Sequence, residues 1–262
     1  MKKYIIIILV VLTSGFSLKA QNLTAREIVD RAVVAIKLKG SESISTLTII
    51  DKRGRTRVRK MTQASKLFDN GNTEKTIIKF MEPADVKGTG LLTYDYKEKD
   101  DDMWLYMPAL RKTRRIVSSE KSKSFMGSEF SYSDLTPPNM DNYIFKLFPD
   151  EIINGELCYK VEMSPKNQDI ADENAFSKKI SWFGKNDFVI RKSVYYDLFG
   201  EKEKELISKS IKELDKDNKK FRPMEMIMIN LQNDRKSIMK IDNIIFNPNV
   251  KNEYFETSFL EK

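Results

Sequence analysis

The sequence predicts a mainly β protein, a single antiparallel meander preceded by one helix, and three observations lead there. After Gly40 apolar residues recur with a period of two. The runs that carry this period are rich in Ile, Val, Thr, Phe and Tyr, the residues that suit a pleated surface. The turns between them are too short for the crossover that a parallel pair requires.

The helix comes first. Thr24 and Glu27 have the spacing of a capping box, and Leu23 and Ile28 sit where a hydrophobic staple closes. Ile28, Ala32 and Ile36 then repeat every four residues beside Val29 and Val33, giving one apolar stripe that ends near Gly40.

Strands follow at residues 44–50, 56–68, 73–81, 90–97, 102–107 and 112–118, then at 156–163, 177–183, 188–197, 203–213, 219–231 and 237–246. Their turns carry Gly54, Asn70 with Gly71, Asn154 with Gly155, Gly184, Gly200 and the polar run 215–218. The spacing breaks once, over 119–149, where Ser, Gly, Pro and Asn mix with Phe125, Met126, Phe130, Tyr132, Tyr143, Phe145 and Phe148. A connection so long and aromatic is unusual in a compact sheet, and we expect short helical turns lying over it as a lid.

Residues 1–20 read as an export signal: Lys2 and Lys3 precede an apolar run from Tyr4 to Leu12, and small or polar residues lead to Ala20. Cleavage is expected before Gln21, which leaves one domain over 21–262 in the periplasm. The run is too short for a bilayer anchor, which needs roughly 20 residues. Cys158 is the only cysteine, so neither an internal disulfide nor lipidation at the cut is expected, and burial alone must hold the fold. The net charge of +8 falls to +5 once Lys2, Lys3 and Lys19 leave with the signal. That balance gives no case for nucleic acid. It fits a mixed-charge surface, or one that meets anionic headgroups or an acidic partner.

The chain has no His, which removes the usual base of hydrolytic triads and the commonest metal ligand. No metal or cofactor is expected. Asp100, Asp101 and Asp102 lack the alternation of a calcium loop and read as a solvated turn. Ser118 with Lys121, Ser133 with Asp134, and the KGTG at 87–90 suggest fragments of the penicillin-binding signature. Their order along the chain is wrong for it.

Several strands are apolar on both faces. In 102–107, Trp104 and Tyr106 point one way while Met103, Leu105 and Met107 point the other; in 224–231, Met224, Met226 and Met228 oppose Ile227, Ile229 and Leu231. Two-sided burial implies two coverings. One face is either ordinary core or the wall of a cavity, where flexible Met adapts to varied ligands.

Residues 76–134 carry a resemblance. FMEPADVKGT at 80–89, WLYMPALRKTRRI at 104–116 and FMGS at 125–128 resemble the F-x-x-P-x-x-x-K-G-T, W-L-Y-x-P-A-L-R-K-x-R-R-I and F-M-G-S segments of the LolA-like outer-membrane lipoprotein-sorting proteins. Weaker agreement runs through KISWF at 179–183, YYDLFG at 195–200 and the tail 247–260. The resemblance implies a large antiparallel sheet curled into an open, half β-barrel over helices, with a cavity for acyl chains. On that reading Phe80, Leu92, Trp104, Tyr106, Met226 and Met228 form the cavity wall, and Phe125, Met126 and Phe130 the lid. Arg111, Lys112, Arg114 and Arg115 then contact headgroups or a partner at the mouth, or form a charged hairpin at the rim. The resemblance further implies a non-enzymatic carrier of lipid or lipoprotein, with transient membrane contact and an RND-type inner-membrane transporter as partner. A LolA-fold envelope sensor is the alternative, and an unrecognised hydrolase a weaker one.

Overall fold

The computed structural model describes residues 23–262. The export signal expected over 1–20 and its cleavage site lie outside the described residues. The first element is α1 (Ala25–Ile36), and its capping box is present in full: Thr24 accepts from Glu27 N, and the Glu27 side chain accepts from Thr24 N. Leu23 and Ile28 meet in the apolar cluster beneath the helix, as a staple requires.

Thirteen strands follow: β1 (Gly40–Ile50), β2 (Thr56–Phe68), β3 (Thr73–Glu82), β4 (Gly90–Tyr96), β5 (Asp102–Met107), β6 (Lys112–Ile116), β7 (Tyr143–Ile153), β8 (Glu156–Pro165), β9 (Lys178–Gly184), β10 (Ile190–Tyr196), β11 (Lys202–Asp215), β12 (Lys220–Asn230) and β13 (Arg235–Phe246). A short helix, α2 (Gln168–Asn174), separates β8 from β9. The strands form one sheet in the order 6-5-4-3-2-1-13-12-11-10-9-8-7, every pairing being antiparallel. Because β1 pairs with β13, the two ends of the strand run meet at the sheet's centre, and its free edges, β6 and β7, are neighbours in sequence.

That arrangement forces curvature. Thr136 Oγ1 donates to Asp101, one residue before β5, and β7 begins seven residues later at Tyr143. Seven residues reach at most about 25 Å. In a flat sheet eleven strand intervals would hold β5 and β7 apart by about 50 Å. The sheet therefore curls without closing, and residues 117–142 lie across its concave side.

Twelve strands occur where the residue pattern places them, with ends shifted by a few residues. The pattern misses β7 and α2. Tyr143, Phe145 and Phe148, assigned from sequence to the lid, belong to β7, an edge strand with Pro149 and a bulge between Phe148 and Glu151. The lid is thus shorter than expected and has turns at Ser118–Glu120, Phe125–Gly127, Tyr132–Leu135 and Met140–Asn142.

The two coverings expected from β5 are both present. Met103 and Leu105 join the main core with the lid residues Phe125, Phe130 and Tyr132. Trp104 and Tyr106 join a cluster on the convex face, where Val250, Phe255 and Leu260 of the C-terminal segment cover β2 to β5. The segment turns away at Asn247, whose N–H donates to Gly40 O at 2.9 Å. A Cβ on Gly40 would stand 2.2 Å from Asn247 O, so glycine permits this exit.

Candidate functional site

The concave face is a bed of methionine. Met61, Met103, Met163, Met228 and Met239 are buried in the main core, and Met107 and Met226 pack against it, so seven of the chain's 12 methionines line the sheet's face, and Met126 meets them from the segment above. Unbranched thioethers repack around guests of varied shape. The lid fills this bed with aromatic rings. Phe125 is 0% exposed, with ring centroids 5.8 Å from both Phe80 and Tyr132, and Phe130 and Tyr132 are buried beside it.

Local chemistry shapes the lid tip. Phe125 N donates to Phe130 O at 2.7 Å and Ser128 Oγ to Phe125 O at 2.7 Å, closing a tight loop in which Met126 and Gly127 take positive φ, +53° and +75°. Two backbone carbonyls are turned outward by this loop, and each meets an arginine of the sheet. Arg59 of β2 donates to Met126 O, and Arg235 of β13 donates to Gly127 O at 3.0 Å. Arg59 is buried; burial, then Arg57, lowers its pKa, with Asp85 opposing, yet a guanidinium stays charged at neutral pH.

Glu129 completes the latch. It is 6% exposed; its N–H donates to Ser237 Oγ at 2.9 Å and its carboxylate accepts from Asn230 Nδ2 at 3.0 Å. Arg235 Nε stands 2.9 Å from the same carboxylate as an ion pair without hydrogen-bond alignment. Polar and charged bonds to side chains hold the lid, not a strand ladder. Such bonds each contribute roughly 1–3 kcal/mol.

The far end of the lid rests on a polar pocket of about 40 Å³ between the β4–β5 hairpin and α2, lined among others by Asp101, Lys121, Thr136, Tyr143 and Glu173. Lys121 Nζ lies 3.5 Å from Glu173, and Thr136 Oγ1 donates to Asp101 at 2.5 Å. Burial pushes the Asp101 carboxyl up from 3.8 to about 6, with Asp95 adding to the shift and Thr136, Lys121 and a Tyr96 backbone bond opposing it. The folded state thus holds this proton more tightly than the unfolded chain does. Its stabilisation is full below pH 3.8 and is lost as pH rises through about 6. Melting temperatures should show a decline across that window that Asp101→Asn removes; a variant with the wild-type profile would assign the decline to other groups.

The six residues expected to share a cavity wall are not brought together. Phe80, Met226 and Met228 lie on the concave bed, whereas Leu92, Trp104 and Tyr106 face the opposite side beneath the C-terminal segment. Phe125, Met126 and Phe130 lie on the segment that crosses that bed and pack against it. Of the basic cluster, Arg114 pairs with Glu120 at 2.6 Å and Arg115 pairs with Asp102. Lys123 and Arg114 together hold the Glu120 carboxyl down at about 2. Arg111 and Lys112 stand exposed at the β5–β6 turn. The latch residues Arg59, Glu129, Asn230 and Arg235 escaped the sequence reading. The one available signal was the parity of Met61, two residues after Arg59 in the same strand, which places Arg59 on the inward face.

Among the described residues no group of three or more His, Cys, Asp or Glu is arranged to hold a metal, and no helix is long and apolar enough to cross a membrane. No curated protein matches the sequence. The family model described as "-like: Uncharacterized protein" matches residues 72–262. The chain is similar to the structure of a protein described as an outer membrane lipoprotein-sorting protein domain, from Vibrio parahaemolyticus: 27% identity, TM-score 0.81, covering 90% of this chain and 97% of that one. It is equally similar to a DUF1329 family protein from Desulfovibrio piger, at 28% identity and TM-score 0.81 over 90% of this chain and 98% of that one. A LolA superfamily protein from Nitrosomonas europaea shares the fold at 19% identity and TM-score 0.67, over 91% of this chain and 100% of that one. The motifs at 80–89, 104–116 and 125–128, the open curled sheet and these likenesses agree, and the chain belongs to the LolA-like family of outer-membrane lipoprotein-sorting proteins.

Proposed function

We propose that the protein is a non-enzymatic periplasmic carrier that shelters acyl chains of lipoproteins or lipids between the methionine bed and the lid, and passes them toward the outer membrane. The observation that carries this reading is the lid itself. Three aromatic side chains, on an irregular segment held by polar latches, occupy the apolar concave face where hydrocarbon would lie. Returning them to water costs roughly 5–9 kcal/mol, and burying a chain of about 16 carbons contributes about 12 kcal/mol. The two are close enough for loading to be favourable and still reversible.

In this reading Phe80, Met226 and Met228 form the wall, and Phe125, Met126 and Phe130 move aside. Arg111 and Lys112 contact headgroups or a partner, for which an RND-type inner-membrane transporter is the candidate that the family suggests. Leu92, Trp104 and Tyr106 hold the C-terminal segment instead of cargo.

A paired comparison tests the assignment. With delipidated protein and a fluorescent fatty-acid analogue, Met226→Glu, which places a carboxylate at the half-buried margin of the bed, should weaken binding at least about tenfold. Trp104→Ala should lower the melting temperature by several degrees and leave affinity within about twofold. If Trp104→Ala loses the analogue and Met226→Glu keeps it, cargo lies on the convex face and the reading is wrong.

A further inference from the structure

The turn between β10 and β11 carries Phe199, which is 92% exposed, and Leu198, which is also exposed. Beside it, the turn between β12 and β13 exposes Leu231. Single surface leucines need no explanation, but a nearly bare phenylalanine on a rigid turn does. The turn is rigid because Asp197 Oδ1 accepts from Phe199 N at 3.0 Å and from Glu201 N at 2.9 Å, and Gly200 N donates to Asp197 O at 3.0 Å. Gly200 at φ +86° makes the tight return.

The two turns are tied to each other and to the lid. Gln232 Nε2 donates to Asp197 Oδ2 at 2.8 Å, and Leu231 N donates to Glu203 O at 2.7 Å. Asn230 Oδ1 accepts from Gln232 N and Asn233 N, which shapes the Leu231 turn, while its Nδ2 donates to the lid carboxylate of Glu129. One buried amide side chain thus holds the apolar tip with one end and the lid with the other.

We propose that this paired tip inserts into the interfacial layer of a lipid bilayer, and that insertion is relayed through Asn230 to release the lid. The occupant follows from shape and charge. The tip protrudes and offers no groove, so it suits a deformable surface. On the β10–β11 turn and its strands the charges are paired: Glu203 lies 3.7 Å from Lys204 and Glu205 2.7 Å from Lys192, and Lys202 stands beside Glu201; the basic β1–β2 turn, with Lys52, Arg53 and Arg55, lies next to the Leu231 turn, since Ile50 pairs with Lys236. The tip itself carries no single-signed field, so it should partition by its apolar side chains into zwitterionic lipid, the basic turn one strand away adding attraction only where the lipid is anionic. The proposal rests on the carrier reading, in which hydrocarbon must pass between bilayer and protein beneath that same lid.

The test uses vesicles of phosphatidylcholine and the full chain. Wild-type protein should float with the vesicles, Phe199→Asp should reduce partitioning roughly tenfold, and added salt should change partitioning into phosphatidylcholine little. Phe199→Trp should shift its fluorescence to the blue on vesicle addition. Asn230→Asp keeps the acceptor that shapes the turn but repels Glu129; it should partition normally and lose the acceleration of acyl uptake that vesicles give the wild type. Partitioning by Phe199→Asp equal to wild type, or partitioning that needs anionic lipid and disappears in salt, overturns the insertion. Vesicle-stimulated uptake that survives Asn230→Asp overturns the relay. Binding of a soluble fatty-acid analogue, measured without vesicles, separates the two readings. If wild type binds it and yet fails to partition, only the tip fails; if it partitions through Phe199 but binds no analogue, only the carrier reading fails.

Discussion

Replacing Phe125 with alanine should lower the unfolding free energy by roughly 3–5 kcal/mol and, in the same protein, tighten the binding of an acyl chain. The two effects have one cause. Phe125 is fully buried against Phe80 and Tyr132, so its removal leaves an apolar void that the surrounding side chains refill only in part. Such voids stay dry and accept hydrocarbon. A ligand entering a space already vacated need not expel the phenyl ring, which saves about 1.5–3 kcal/mol and corresponds to roughly ten- to a hundredfold in affinity. Thermal melts with and without a fatty-acid analogue read both quantities, and saturating ligand should recover much of the lost melting temperature. Had Phe125 been ordinary core, the variant would be destabilised with no gain in affinity.

Arg59→Ala should leave stability nearly unchanged and act in the same sense on binding. The guanidinium is buried and meets a carbonyl dipole of the lid at Met126, with Arg57 nearby and Asp85 as its acidic neighbour. A buried cation without an intimate carboxylate partner is poorly compensated. Removing it should leave the melting temperature within a few degrees of wild type while deleting the charge-assisted bond that holds the lid tip. That bond contributes roughly 1.5–3 kcal/mol. If the closed lid is the resting state, apparent affinity is the intrinsic affinity scaled by the open fraction, so the loss should raise it about tenfold or more. Fluorescent-analogue titrations of Arg59→Ala and Arg59→Lys check this, with lysine restoring part of the closure. Unchanged affinity in Arg59→Ala would show that the contact with Met126 does not gate entry.

Most of the sheet was legible because alternation and turn chemistry agree. In β5 the period of two sorts Met103, Leu105 and Met107 from Trp104 and Tyr106, and both sets are covered as that sorting requires. What alternation cannot say is which face is concave. Leu92, Trp104 and Tyr106 are as apolar as Phe80, and only the path of the C-terminal segment, which buries Phe255 and Leu260 against them, assigns them to the outside.

β7 was illegible for a different reason. As an edge strand it has one hydrogen-bonded neighbour, Pro149 and a bulge interrupt its register, and Ile144 and Ile152 remain exposed. Tyr143 and Phe145 face the core, but Leu147, which continues their parity, is exposed, so the apolar residues do not keep to one face along the strand. Lys146 and Pro149 are the kind of residues that protect an edge from further pairing. The latch was hidden because Arg59, Glu129, Asn230 and Arg235 look individually like solvated surface. Only the fold shows that Arg59 turns inward to meet the lid and that Glu129 of the lid turns inward to meet Ser237 and Asn230.

In the proposed carrier the lid and an acyl chain compete for one methionine-lined surface. Amide hydrogen exchange, compared with and without a bound fatty-acid analogue, tests it most directly. Lid amides such as Phe125, Ser128 and Tyr132, which donate to Phe130, Phe125 and Lys123, should lose protection when the analogue binds, while the β4 and β5 amides beneath them keep theirs. Binding that leaves the lid amides as protected as before would contradict the account, because the hydrocarbon would then be lodged somewhere the lid does not cover.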